Sequence, residues 1–297
     1  MIFPAPLRPG DTIALVAPSS PPDRVLAWVG LGWLARRYEV RFTRDLFARD
    51  GYLAGSDERR RDELAAALVD PDVRAILAVR GGYGASRFAH TLDWSGLAAR
   101  PRWIIGFSDI TALHVEASRV GVASIHGPHL TALGRADARA RDAFVRIVEA
   151  PRAPRVYRGL GVVREGSAEG ALHGGNLSML HACAAAGRLA IPPGSVLVLE
   201  DVAERPYRID RMLATLAAGG HLARAAAVVL GDFTDCSPGP DRTTLEQVFA
   251  VHLGKLGVPV LRGLPVGHAL RNDPVVLGGP ACVEAHGAAG ELRLGSG

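Results

Sequence analysis

Through its first half this chain alternates short apolar runs with helix-like stretches, and that alternation limits the fold more than any single motif. Thr12 to Ala17 is a strand-like run, and Asp23 to Arg37 reads as a helix carrying Trp28 and Trp33. Tyr38 to Thr43 alternates apolar and polar residues as a strand does. Asp57 to Val69 interleaves acids and arginines in a helix-like stretch that Asp57 can start. Ala75 to Val79 is a short apolar strand running into Arg80-Gly81-Gly82, and Trp103 to Ile105 runs into Gly106-Phe107-Ser108-Asp109. A helix from Ile110 to Ser118 and a strand from Val122 to Ile125 follow. Strands separated by helices imply βαβ units and a mainly parallel sheet, an α/β fold. Sites on such sheets lie beyond the carboxyl ends of the strands. Gly81-Gly82, Ser108 and His126-Gly127 all fall there.

From Ala150 to Gly170 the texture changes. Pro151, Pro154, several arginines and four glycines occur with weak periodicity. That predicts an inter-domain connection over 151–170, between an N-terminal domain, 1–150, and a C-terminal domain, 171–297. The second half opens with Gly174-Gly175-Asn176 and a helix from Leu177 to Ala186. A strand from Val196 to Leu199 ends at Glu200-Asp201, and a helix spans Ile209 to Ala217. A strand from Ala226 to Leu230 ends at Gly231-Asp232, and a helix spans Thr244 to Leu256. Short strands are expected near 258–261, 275–277 and 282–285.

Composition excludes several classes. Of 297 residues, 48% are hydrophobic and 22% charged, as in a soluble globular protein. Basic residues exceed acidic ones by 34 to 30, yet Lys255 is the sole lysine and the arginines are scattered. Nucleic-acid binders gather them on one face instead. The densest runs, Arg36-Arg37 and Arg59-Arg60-Arg61, sit among acids and are expected as solvated faces. Cys183, Cys236 and Cys282 are odd in number and widely spaced, which fits thiols in a reducing compartment rather than a disulfide framework. No signal peptide is read at the start, where Pro4, Pro6 and Pro9 interrupt any apolar core. No apolar run approaches the ~20 residues of a membrane helix. The expectation is a cytoplasmic protein with no membrane and no nucleic-acid partner.

Three residues carry candidate chemistry. Ser108 lies at a bend between strand and helix. It is either a helix N-cap or a nucleophile beside free backbone N–H groups that can bind an oxyanion. Glu200 ends an apolar strand, and His268 follows Gly267. Serine, carboxylate and imidazole together make an acyl-transfer site. The chain order matches the α/β-hydrolases, but their Gly-x-Ser-x-Gly elbow is broken here by Ile110. The glycines of Arg80-Gly81-Gly82-Tyr83-Gly84 let backbone approach a ligand closely. Their spacing is not that of a dinucleotide fingerprint, and no Gly-Lys-Ser/Thr of a P-loop occurs. His126 with His129, and His181 with Cys183, are too sparse for zinc. No cofactor and no metal are expected.

These segments together resemble the LD-carboxypeptidases, serine peptidases that remove a terminal D-amino acid from murein peptides, with which the microcin-C immunity peptidases share a fold. The matching pieces run nearly end to end. They are Leu7-Arg8-Pro9-Gly10-Asp11 with Val16-Ala17-Pro18-Ser19, Tyr52-Leu53-Ala54-Gly55, Arg80-Gly81-Gly82-Tyr83-Gly84, Gly106-Phe107-Ser108-Asp109, His126-Gly127-Pro128, Gly174-Gly175-Asn176-Leu177, Leu199-Glu200-Asp201, Gly231-Asp232-Phe233 and Gly267-His268. Phe107 departs mildly from the family, where tyrosine is frequent. The resemblance implies a flavodoxin-like N-terminal domain, a smaller α/β C-terminal domain, and an active site in the cleft between them. It implies Ser108 as nucleophile, His268 as general base and Glu200 as its partner. It further implies an oxyanion hole from the Gly82 and Asp109 N–H groups, and a homodimer.

The implied reaction is release of terminal D-alanine from a cytoplasmic murein tetrapeptide, free or sugar- or UDP-linked, through an acyl-enzyme during peptidoglycan recycling. A carboxypeptidase must also hold a free carboxylate, for which a guanidinium is suited. Arg80, Arg208 and Arg271 are the candidates, with Tyr207 in a charged segment that could line the site. Two alternatives stand beside this reading: hydrolysis of a peptidyl or aminoacyl sulfamoyl-adenylate, and a two-domain sugar or phosphate binder without catalysis. The sulfamoyl-adenylate reading wants an aromatic platform for the base. All four tryptophans precede the expected connection, which leaves Tyr207 for that role.

Overall fold

The computed structural model describes residues 1–295. They form two compact units: Met1–Pro151 with Asp273–Val276, and Arg152–Asn272 with the chain from Leu277 onward. The first unit runs β1 (Thr12–Val16), α1 (Arg24–Leu34), β2 (Glu39–Arg41), α2 (Asp57–Val69), β3 (Val73–Ala78), α3 (Ser95–Ala99), β4 (Trp103–Gly106), α4 (Thr111–Arg119), β5 (Ser124–His126), α5 (Leu130–Arg135) and α6 (Ala138–Glu149). β1 pairs with β2 and β3, β3 with β4, and β4 with β5, all in parallel. The order 2-1-3-4-5 is the flavodoxin-like one expected. A late segment, Val275–Leu277 (β11 by its place in the chain), adds the strand outside β5.

In this order the chain leaves β1 toward one edge of the sheet and β3 toward the other. Their carboxyl ends therefore open a crevice. Ser19-Ser20 and Gly81-Gly82 stand at that point. Beneath it, Ile13, Leu15, Leu77, Trp103, Ile105 and Phe144 are buried in one apolar core. Each such aliphatic or aromatic side chain contributes about 1.5–3 kcal/mol by leaving water. Helix starts follow local chemistry. The Asp23 carboxylate accepts the Leu26 N–H at 2.9 Å, and Asp137 accepts the Ala140 N–H at 2.8 Å. Ser56 rather than Asp57 caps α2, through the Arg59 N–H at 3.2 Å.

The Arg59-Arg60-Arg61 run is not the solvated face expected of it. The Arg60 side chain is fully buried. Its guanidinium donates to the Pro18 carbonyl at 2.6 Å and the Gly55 carbonyl at 3.3 Å, and also to Asp57. The two carbonyls belong to turns outside the helix, so much of this guanidinium is satisfied by backbone that no spacing rule reveals.

The second unit runs β6 (Arg155–Arg164), β7 (Gly166–Asn176), α7 (Leu177–Ala185), β8 (Ser195–Val202), α8 (Pro206–Ala218), β9 (Ala225–Thr234), α9 (Leu245–His252), β10 (Val260–Arg262), β12 (Pro280–His286) and β13 (Ala289–Leu294). The α/β half is the succession β7-α7-β8-α8-β9-α9-β10, with its strands parallel. β6, β12 and β13 pair antiparallel with it and with each other, and complete a closed barrel. The 151–170 segment, expected as a connection, is therefore a correction. It forms β6 and the start of β7, because its glycines and arginines pair with strands more than 90 residues later. β8 likewise runs on past Leu199, which puts Glu200 and Asp201 inside the strand rather than beyond it.

Candidate active site

In the first unit, β4 stops at Gly106 and Ser108 opens a single 3-10 turn, Ser108–Ile110, that leads into α4. The Ser108 φ is +63°. A residue with a β-carbon held there costs about 1–3 kcal/mol, which only surrounding structure can enforce. The N-cap alternative for Ser108 fails. Ile110 holds the N-cap position of α4, and no side chain caps either turn.

What enforces the bend is visible on three sides. The Gly106 carbonyl accepts the Gly127 N–H at 3.0 Å and bonds His114 Nε2 at 2.9 Å. A carbonyl only accepts, so Nε2 carries the proton; burial lowers the His114 pKa to about 4 and keeps the ring neutral. The Phe107 ring stacks on His129 at 4.8 Å and meets the edge of His126 at 6.1 Å. His129 itself caps α5 through the Ala132 N–H. Both histidines are thus parts of the support for the turn. Finally, the Asp109 carboxylate accepts the Ser19 hydroxyl at 2.6 Å and the Ala85 N–H at 2.8 Å.

The glycine turn after β3 passes against the serine. A β-carbon on Gly81 would lie 2.9 Å from Ser108 Cβ, too close for any other residue without a shift. Ser20, which sequence reasoning missed, braces this turn. Its N–H donates to the Gly81 carbonyl and its Oγ accepts the Tyr83 N–H, each at 3.2 Å. Among the described residues, neither the Gly82 nor the Asp109 N–H meets a protein acceptor.

In the second unit, the Glu200 side chain is fully buried and its Oε2 lies 2.7 Å from His268 Nδ1. An ionised carboxylate only accepts, so Nδ1 carries the proton of this hydrogen bond. Burial raises the Glu200 pKa, and the hydrogen-bonded His268 beside it opposes that rise. Gly267 is required for the approach. Its φ is +140°, and a β-carbon there would stand 3.0 Å from Glu200 Oε2. The Gly267 N–H donates to Asn272 Oδ1 at 3.2 Å, which folds the loop back on itself. Asp232, reached in sequence only as part of a family motif, lies within electrostatic range of both His268 and Arg271. Burial raises its pKa, and the nearby Arg271 and His268 side chains oppose the rise.

The remaining candidates are less central. Arg80 Nη1 donates to the Pro21 carbonyl at 2.8 Å. Tyr207 and Arg208 lie on the exposed first turn of α8, where Arg208 bonds Tyr207 Oη at 3.2 Å and Glu204 at 3.3 Å. Arg271 is exposed in the loop that carries His268. Ser108, Gly82 and Asp109 thus share the first unit, while Glu200, His268 and Arg271 share the second. Among the described residues no group of three or more His, Cys, Asp or Glu side chains could hold a metal ion, and no helix is long and apolar enough to cross a membrane.

The LD-carboxypeptidase N-terminal domain matches residues 13–127, and the LD-carboxypeptidase C-terminal domain matches residues 169–283. The murein tetrapeptide carboxypeptidase of Pseudomonas aeruginosa is 38% identical over 92% of this chain and 93% of its own length. The probable murein peptide carboxypeptidase of Bacillus subtilis is 34% identical over 94% and 91%. Among solved structures, muramoyltetrapeptide carboxypeptidase from Oxalobacter formigenes superposes with a TM-score of 0.86 at 29% identity, covering 96% of this chain and 99% of that one. Microcin C7 self immunity protein MccF, solved with glutamyl sulfamoyl guanosine, reaches 0.88 at 21% identity over 100% and 99%, a likeness of fold. A strained serine, a buried glutamate–histidine pair and these relatives define a hydrolase of the serine carboxypeptidase class. The chain belongs to the LD-carboxypeptidase family. The sugar- or phosphate-binder reading is thereby overturned.

Proposed function

We propose that this enzyme is an L,D-carboxypeptidase that releases terminal D-alanine from murein tetrapeptides, free or sugar- or UDP-linked, in the cytoplasm, where it recycles peptidoglycan as a homodimer. Ser108 is the nucleophile, His268 the general base and Glu200 its orienting partner. The observation that carries the chemistry is the 2.7 Å contact of His268 Nδ1 with a fully buried carboxylate. It holds the imidazole in the tautomer whose Nε2 can accept a proton, and it stabilises the imidazolium that results. The substrate reading is supported by the Pseudomonas relative, 38% identical to this chain.

The reaction follows in two halves. His268 Nε2 takes the Ser108 proton as Oγ attacks the carbonyl preceding the D-alanine nitrogen. The N–H groups of Gly82 and Asp109 bind the oxyanion, each worth about 3 kcal/mol of barrier. The D-alanine amine leaves with the proton from His268. Water, deprotonated by the same ring, then frees the acyl group from Ser108. Arg271 binds the terminal carboxylate of the substrate. It is supported over Arg80 and Arg208 because it shares its loop with His268.

The sulfamoyl-adenylate reading draws on neighbours at 21% identity, which speak to fold alone. Incubation with free and UDP-linked murein tetrapeptide, followed by mass, should show loss of one alanine. No loss from either, with turnover of an aminoacyl sulfamoyl-adenylate, would replace this reading with the immunity one.

A further inference from the structure

Asp109 places a carboxylate directly after the nucleophile, yet the proton transfers above make no use of it. Its residue is 1% exposed. Oδ2 accepts the Ser19 hydroxyl at 2.6 Å and the Ala85 N–H at 2.8 Å. Ser19 stands beyond β1, Ala85 beyond the glycine turn after β3, and Asp109 beyond β4. One oxygen thus joins three strand ends around the crevice. Oδ1 is buried and meets no partner among the described residues.

The groups facing this carboxyl are the Ser19 hydroxyl, the Ala85 N–H and, from α2, the Arg60 guanidinium. Arg60 is also held by Pro18, Gly55 and Asp57, and Asp57 in turn binds Arg87. Despite both hydrogen bonds and Arg60, burial pushes the Asp109 carboxyl up to about 6. A neutral acceptor could tie the same two donors at a lower desolvation cost. The charged one holds them more tightly, because a hydrogen bond to an ionised acceptor is roughly twice as strong.

We propose that Asp109, when ionised, is a positioning residue: it draws the Gly81–Gly84 turn onto the nucleophile turn and keeps the Gly82 and Asp109 N–H groups aimed at one oxygen. This rests on the reading of Ser108 as nucleophile and of those two N–H groups as its oxyanion donors. The sign of the stability effect follows. With the folded pKa above the unfolded one, the stability of the protonated form is present below about pH 4 and is lost as pH rises through about 6. Ionisation therefore serves the site against the fold.

The test compares wild type, Asp109→Asn and Ser19→Ala on a murein tetrapeptide across pH 4.5–8, with melting temperatures at each pH. Asp109→Asn keeps an acceptor but cannot ionise. It should lower kcat roughly 10²-fold, the scale of a ~1 Å misplacement, with KM within about twofold. In wild type, log kcat should fall more steeply below about pH 6 than in Asp109→Asn, the difference in slope being the one proton that Asp109 takes up. The melting temperature of Asp109→Asn relative to wild type should climb from pH 5 to pH 8. Ser19→Ala should lower kcat about tenfold, and the double variant should lose no more than Asp109→Asn alone, as for residues acting as one unit. Labelling by a fluorophosphonate, lost in Ser108→Ala, reports on the nucleophile separately. Labelled wild type with an unchanged kcat and slope in Asp109→Asn overturns the positioning role and leaves the nucleophile intact. Wild type that does not label removes the reading beneath both.

Discussion

Ser108 is held where a residue with a β-carbon is strained, at φ +63°, by bonds that other residues make. Gly106, Phe107 and Asp109 are each fixed by partners, so the strained residue between them has no freedom to relax. Replacing Ser108 by glycine removes both the strain and the hydroxyl. Chemical denaturation should show Ser108→Gly more stable by about 1 kcal/mol, while turnover of a murein tetrapeptide is lost. A variant less stable than wild type would mean that the serine contributes packing rather than strain. On the histidine side, Glu200→Gln keeps the volume but removes the charge that selects the Nδ1–H tautomer. We expect kcat to fall by about 10⁴-fold with the fold intact, as when the analogous carboxylate of the chymotrypsin triad is made an amide. A loss under tenfold would show that His268 needs no carboxylate.

At the scale of elements, α2 matters beyond its own length. Arg60, fully buried, ties the turn after β1 and the turn before α2 to the helix. Arg60→Ala leaves two carbonyls without their donor and should destabilise the protein by about 3 kcal/mol in denaturant titration. Arg60→Lys, lacking the planar fork, should recover only part of that. A neutral effect of Arg60→Ala would return this arginine to the solvated face that its neighbours suggested. The first unit was legible because its information is local. Its apolar runs and capping residues fix β1, α1, α2, β3 and β4 to within a few residues, and the strand ends then indicate where Ser108 and Gly82 must lie. The barrel was less legible because its information is distant. β6 is half-exposed along much of its length, and β10 and β13 rather than its own pattern make it a strand. Ser20, Asp232 and Asn272 act through one or two hydrogen bonds or through charge, which leave no periodic trace in sequence.

At the scale of the whole molecule, the proposed chemistry is divided between two units of different build. A flavodoxin-like sheet holds a strained serine beyond a strand end, and a closed barrel buries a carboxylate against an imidazole. The proposed mechanism requires that the substrate become covalently attached to Ser108. Rapid quenching of wild type with a murein tetrapeptide, followed by proteolysis and mass spectrometry, tests that directly. It should find a peptide containing Ser108 that carries the acyl part of the substrate in the first turnover, with D-alanine released in step and neither product from Ser108→Ala. Steady release of D-alanine by Ser108→Ala, with no adduct at any time in wild type, would contradict it.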